Sequence, residues 1–455
     1  MKFNSKILLI ALLGLWNCGC DENSRGVLSG EKVSGVVPVD TVNFVGHWLN
    51  EGKRELFVRN LARVYEFENQ NVKVNLKFPE EIYYDPQDRA SNEKYTAKVI
   101  QQGLTDWDVL RINGEYGEVT NILDDTDWPR KYLVDFSGIE QFREGTQPSL
   151  LTEDEMEKWN GVIPGPYLEG QYWALWFNKK VAEKVGIEVK QFGMTFDDFA
   201  GYLEAINQYN KSNPDDHIIP LYESYVWETT MLLALNLFAS YLGNADAFLE
   251  WKMSEEKLQA WHKTLKQIER ISQYNPIDPS WRETDWASSH EMMLNGECLF
   301  YVNGSWMYNI WEGIDSEKIY DIVPSELPSA GKNVIYPHDY SITWGVPQNV
   351  PNRDEAVKFL LSMNTPDVAE MWTRYTKCPT GIKGNLSSAS LGGDQFEEFA
   401  KYVQDNFSEN KFRYYWSSAW ILDNDHYNTP VYFREVLNGE MTANEAMMAI
   451  RASIR

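Results

Sequence analysis

The sequence predicts a mixed α/β protein of more than one domain, and three observations carry that expectation. Its 455 residues exceed a single core at about 150 residues per domain. Residues 41–112 alternate between strand-like and helix-like patterns. Beyond Gly161 an aromatic strand precedes a series of helices that open on capping residues.

Thr41–Trp48 (TVNFVGHW) is rich in strand formers. Leu56, Phe57, Leu61, Val64 and Phe67 recur at the spacing of a helix with one apolar face. Val72, Val74, Leu76 and Phe78 alternate with Lys73, Asn75 and Lys77, the period of a strand. A second helix is expected over Glu93–Gln102, stopped by Gly103, and a third strand over Trp107–Ile112. This is the parallel βαβ rhythm, in which ligands bind beyond the carboxyl ends of the strands. His47, Trp48 and Glu51 then share one rim with Asn113, Gly114 and Glu115.

Pro164-Gly165-Pro166 interrupts the chain, and Tyr172–Phe177 is an aromatic strand. Thr195 and Asp198 form a T-x-x-D capping box for a helix through Tyr209, and Ile218–Leu221 is a strand. A buried helix follows from about Trp227 to Leu242. The next carries Leu258, Trp261, Leu265 and Ile268 as one stripe, which assigns Trp261 to the core. Cys298–Val302 is a strand ending in the turn-forming Asn303-Gly304-Ser305. Asn352 with Glu355 frames another capping box, Thr365-Pro366 opens a helix with proline at its first position, and Thr442 with Glu445 caps the last helix.

Composition excludes several functions. Sixty-seven Asp and Glu against 42 Lys and Arg give a net charge of −25, with no run of five basic residues. Such a chain repels polyanions, so nucleic acid is not a partner. A hydrophobic fraction of 43% excludes intrinsic disorder. There is no G-x-S-x-G, H-E-x-x-H, phosphate-binding glycine loop or Cys/His cluster, so neither cofactor nor metal is expected. Asp423, Asp425 and His426 lack the EF-hand spacing and read as a turn with capping acids. Cys298 and Cys378 are either separate buried thiols or a disulfide pair.

Lys2 and Lys6 before the apolar run Ile7–Trp16 make residues 1–19 a secretory signal peptide, too short to span a membrane. Asn17-Cys18-Gly19-Cys20 resembles a bacterial lipoprotein box. Gly19 is the small residue before the cut, so Cys20 is expected to carry the lipid. Lipidation at Cys18 and an ordinary cleaved signal remain the alternatives. Residues 20–40 read as a tether. The protein is thus expected to be exported and held to the cell-envelope membrane by lipid alone.

Several stretches, taken in order over residues 41–455, resemble the extracellular solute-binding lipoproteins of sugar ABC transporters, the family 1, maltose-binding-protein-like group. They are Trp173–Lys180, Val185-Gly186-Ile187 and Thr195–Phe199; Leu294–Cys298 with Val302–Trp306; Thr343–Pro347, Glu355–Leu360 and Thr365-Pro366-Asp367; and Leu437–Ala443 with Glu445-Ala446. Met194 replaces the family's proline before the Thr. The resemblance implies a two-lobe periplasmic-binding-protein fold: residues 41–168 and 344–378 in the N-terminal lobe, 169–343 and 379–455 in the C-terminal lobe. Hinge strands and a ligand cleft would join them, with crossings near Tyr167–Tyr172, His338–Thr343 and Lys377–Ile382. It further implies a monomeric, non-enzymatic protein that closes on a carbohydrate and delivers it to a transporter permease.

A pyranose ring offers one face of C–H groups and a belt of hydroxyls. Indole and phenol rings pack on the C–H face, while carboxylates and amides take the hydroxyls. Aromatics at strand ends or in loops, where no helical stripe demands burial, are the candidates: Trp48, Trp227, Trp306, Tyr340 and Trp344. Glu51, Glu115, Glu228 and Asp339 are the neighbouring acids, and Tyr172 either contacts ligand or fills a crossing. For each aromatic, packing in a core or rim is the competing role. Many aromatics suit several sugar subsites, and net negative charge disfavours polyanionic glycans, so a neutral oligosaccharide is expected. The alternatives are a glycoside hydrolase, which needs two carboxylates across the scissile bond, and a helical SusD-type surface glycan-binding lipoprotein.

Overall fold

The computed structural model describes residues 40–49, 51–82, 91–102, 106–112, 116–223, 229–243, 254–283, 288–331, 338–384, 394–407 and 428–453. These fall into two units: the first takes the described residues of 40–168, 341–371 and 381–384, the second those of 169–340, 372–380 and 394–453. Strands are numbered along the chain: β1 Asp40–Val45, β2 Val72–Lys77, β3 Leu110–Arg111, β4 Glu169–Asn178, β5 Ile219–Tyr222, β6 Cys298–Gly304, β7 Ile322–Ser325, β8 His338–Ser341 and β9 Trp344–Gly345.

In the first unit β1 and β2 are parallel, with Phe44 opposite Leu76. On its other side Phe44 bridges Val109. The strand expected over Trp107–Ile112 shortens to β3, which pairs antiparallel with β9. Helix Lys53–Glu68 buries Phe57, Val58, Leu61, Ala62 and Tyr65, close to the stripe its spacing predicts. It leaves Leu56 and Phe67 exposed. Phe359, from helix Arg353–Met363, closes this core edge-on to Phe44 and Tyr65, with centroids 5.0 Å away in each case. The capping box expected at Asn352 and Glu355 does not form. Asn352 Nδ2 donates to Thr41 O at 2.8 Å and Glu355 accepts from Tyr65 Oη at 2.6 Å. Partners from distant sequence outcompete the local cap.

The second unit is built on a five-stranded sheet in the order β5-β6-β4-β7, with β8 also pairing with β4. β4 is antiparallel to β6 and β7, and β5 is parallel to β6. Alternation sends Leu175, Phe177, Leu221, Phe300 and Val302 into one hydrophobic core, and Ala174, Trp176, Tyr222 and Tyr301 into another. Helices Phe196–Ser212, Leu232–Leu242 and Glu255–Ser272 supply the first core. The capping boxes at Thr195/Asp198 and Thr442/Glu445 both form. Trp261 is 1% exposed and meets Phe238 edge-on.

Residues 341–343, expected with the second lobe, group with the first unit, where Thr343 O accepts from Ile112 N at 2.9 Å. Residues 372–378, expected with the first lobe, group with the second. There Asn309 Nδ2 donates to Thr376 O at 3.0 Å, and Lys377 is buried against Glu397 and Asp394 beneath the Tyr308 ring. Cys298 and Cys378 are separate buried thiols. Among the described residues, no helix is long and apolar enough to cross a membrane.

Candidate functional site

Where β1 ends in the first unit, Trp48 takes a φ of +69°, a left-handed conformation that is costly for a bulky side chain. Packing holds it there. His47 stacks on the indole at 4.6 Å, Trp344 meets it edge-on at 5.7 Å, and the Arg54 guanidinium lies 5.4 Å from the ring. Trp48 is 3% exposed and Trp344 1% exposed, and the Trp344 indole N–H donates to Val45 O at 2.9 Å. Both rings therefore serve the packing of this unit. Glu51 is half-buried and accepts from Arg54 at 3.4 Å. Desolvation, seconded by the charges of Arg111 and Arg54, holds the His47 imidazole well below its usual pKa.

In the second unit Tyr172 is fully buried between Trp176 and Phe399. Burial first, then Cys378 and Asp394, raises its phenol pKa. Its ring packs within this unit rather than opening onto solvent. Tyr340 in β8 is also buried. Asp339 lies on the same strand, its side chain outside the described residues, as are Glu115, Trp227, Glu228, Cys20 and the Asp423–His426 group. Among the described residues no cluster of His, Cys, Asp or Glu has the makings of a metal site.

Trp306 stands apart from these buried rings. It is half-buried at the start of helix Met307–Ile314, directly after β6. Trp173 on β4 pairs with Gly304 on β6. Because residue 304 has no side chain, the Trp306 six-membered ring lies over it; a Cβ there would come within 2.5 Å of Cε3. The two indoles meet at 88° with centroids 4.9 Å apart. Along β4 only Gln171 and Trp173 escape full burial, two residues apart and so on one face. Gln171 Nε2 donates to Glu169 Oε1 at 2.8 Å. The result is a right-angled pair of partly open indoles beside an amide and a carboxylate.

Trp173 was not among the sequence candidates. Its signal was present but faint: a Trp two places from Gln171 on a strand whose partner carries glycine at the matching position.

The sequence profile of the bacterial extracellular solute-binding proteins matches residues 95–370. No curated protein matches the chain by sequence. Among solved structures, the solute-binding protein RafE in complex with raffinose is 15% identical, covering 91% of this chain and 98% of its own, with a TM-score of 0.60. The GacH receptor of Streptomyces glaucescens, solved unliganded and with acarbose, is 15% identical over 90% of this chain and 96% of its own, with a TM-score of 0.62. Maltose-bound MalE3 of T. maritima is 14% identical over 91% and 98%, with a TM-score of 0.61. At such identities the likeness is one of fold.

Proposed function

Because this chain belongs to the bacterial extracellular solute-binding protein family, we propose that it binds a neutral oligosaccharide without turnover and delivers it to the permease of an ABC transporter. The observation that carries this reading is the right-angled Trp173–Trp306 pair. One partly open indole offers its face to the C–H side of a pyranose, and the second walls the edge of the ring. Gln171 lies on the same strand for the hydroxyl belt, its amide held by the buried Glu169 carboxylate. RafE, GacH and MalE3, whose fold this chain shares, were solved with raffinose, acarbose and maltose. That common chemistry supports a glycan over a peptide or amino acid.

We place the protein outside the cytoplasm as a monomer, tethered by lipid on Cys20. Mass spectrometry of membrane-extracted protein should find an acylated N-terminal cysteine. A mature chain that starts well beyond Cys20 without lipid would refute the anchor. The binding reading is tested by a thermal-shift screen against neutral glycans, amino acids and peptides, with a reducing-end assay beside it. A glycan at 100 times its dissociation constant should add about 2.7 kcal/mol of apparent stability. Stabilisation by peptides alone would overturn the glycan assignment, and release of reducing ends would make the protein an enzyme.

A further inference from the structure

We propose that the groove between helix Lys53–Glu68 and the outer edge of β2 is a docking site for an acidic, extended segment of a partner protein. The groove, about 500 Å³, is lined by Arg59 and Arg63 from the helix and by Lys73 and Lys77 from the strand, with Glu66 as the acid among its lining residues. On a chain of net charge −25, four cations on one face invert the local field. Lys73 already meets Glu66 and Arg59 meets Glu55, each at 2.7 Å. Arg63 and Lys77 supply the excess.

The backbone provides a second, independent observation. β1 has β2 on one side and Val109 on the other, so β2 is outermost among the described strands. Alternate residues of such an edge turn their N–H and C=O groups outward. Lys77 O accepts from Gly46 N on the inner side, which leaves Val74 and Leu76 facing the groove. Glu66 Oε1 accepts the Val74 N–H at 2.8 Å while pairing with Lys73. A carboxylate bound at once to this edge and to its cations is therefore the chemistry the groove already accommodates. A guest strand carrying acids would extend the same pattern, gaining main-chain hydrogen bonds from the edge and selectivity from the charges. Lysines on an edge strand also deter pairing between copies, but that role does not require two helix arginines converging on the same groove.

The test measures binding of labelled short peptides to the full exported chain. One alternates Glu and Val, one alternates Lys and Val, and one is the acidic peptide with prolines that cannot join a ladder. The Glu-Val peptide should bind about tenfold or more tightly than either control, and raising the salt from about 0.05 M to about 0.5 M should weaken it. The charge reversal Arg63→Glu with Lys77→Glu should weaken it about tenfold or more while the melting temperature is kept. If that pair disturbs folding, Arg63→Gln with Lys77→Gln serves instead. The proposal is overturned if the acidic peptide fails to bind or the proline or lysine control binds as well. It is also overturned if charge reversal leaves affinity unchanged and only promotes self-association. Retention on phosphatidylglycerol vesicles without peptide binding would assign the groove to a membrane surface and equally overturn it.

Discussion

Replacing Gly304 with alanine tests the indole pair without touching either ring. A Cβ at residue 304 would stand 2.5 Å from Trp306 Cε3 and nearer still to Cζ3 and Cη2. Non-bonded carbons settle at about 3.5–4.0 Å, so the ring must retreat by about 1 Å or more. Gly304 is in extended β6 and outside the left-handed region, so the alanine backbone itself fits. Overpacking of a rigid site costs about 1–3 kcal/mol; a half-buried ring can turn aside, which puts the expected loss near about 1 kcal/mol. Affinity should suffer more: a displaced stacking ring at a binding hot spot costs about 2 kcal/mol, roughly thirtyfold. Isothermal titration with the glycan found in the screen, and melting curves on the same samples, provide the two readouts. The double variant with Trp306→Ala removes the clash together with the ring. It should therefore bind like Trp306→Ala alone and melt no lower than Gly304→Ala. Wild-type affinity in Gly304→Ala, or affinity losses that add in full, would show that binding does not depend on where this ring sits.

Trp261→Ala should cost about 3–5 kcal/mol of stability by opening a cavity against Phe238, while the folded fraction binds glycan as before; titration of protein held well below its melting temperature checks this. Lys377→Met strands the buried Glu397 carboxylate and the half-buried Asp394 beside it, and should cost about 3 kcal/mol at neutral pH. Burial holds the Glu397 carboxyl above its usual range despite the lysine. A raised acid contributes fully below its unfolded pKa and loses that contribution as pH rises through the folded value. The Lys377→Met cost should therefore be smaller at about pH 5 than at about pH 8 in denaturant melts, and equal costs would contradict the assignment. Thr195→Ala removes the hydroxyl that accepts from Asp198 N in a formed capping box, leaves the residue-195 N–H donating to the Asp198 carboxylate, and should cost about 1 kcal/mol by the same melts.

The parts of the fold that were legible are those decided by neighbours in sequence. The Val72–Lys77 alternation became β2, and the Thr195/Asp198 spacing became a working cap. The same S/T/N-x-x-E spacing misled at Asn352, because Thr41 O and Tyr65 Oη, hundreds of residues away, claim its two side chains. The site was less legible for the same reason. Trp48 and Trp344 satisfy the criterion of an aromatic at a strand end, yet their partners are each other and Val45 O, 299 residues from the Trp344 indole. Trp173 was hidden in the opposite way, inside a run of apolar strand residues whose one open position is visible only when Gly304 is laid against it.

In β4 the two sides of the sheet are both committed. Leu175 and Phe177 belong to one core, Ala174 and Trp176 to the other, and the strand regains access to solvent only at Gln171 and Trp173. Adjacent codons therefore answer to different demands. Substitutions at 174–177 act on folding, whereas under the proposed binding role those at 171 and 173 would change what is recognised while the sheet stays intact. Retuning such a receptor to a new solute would proceed from the strand tip inward and stop within two residues.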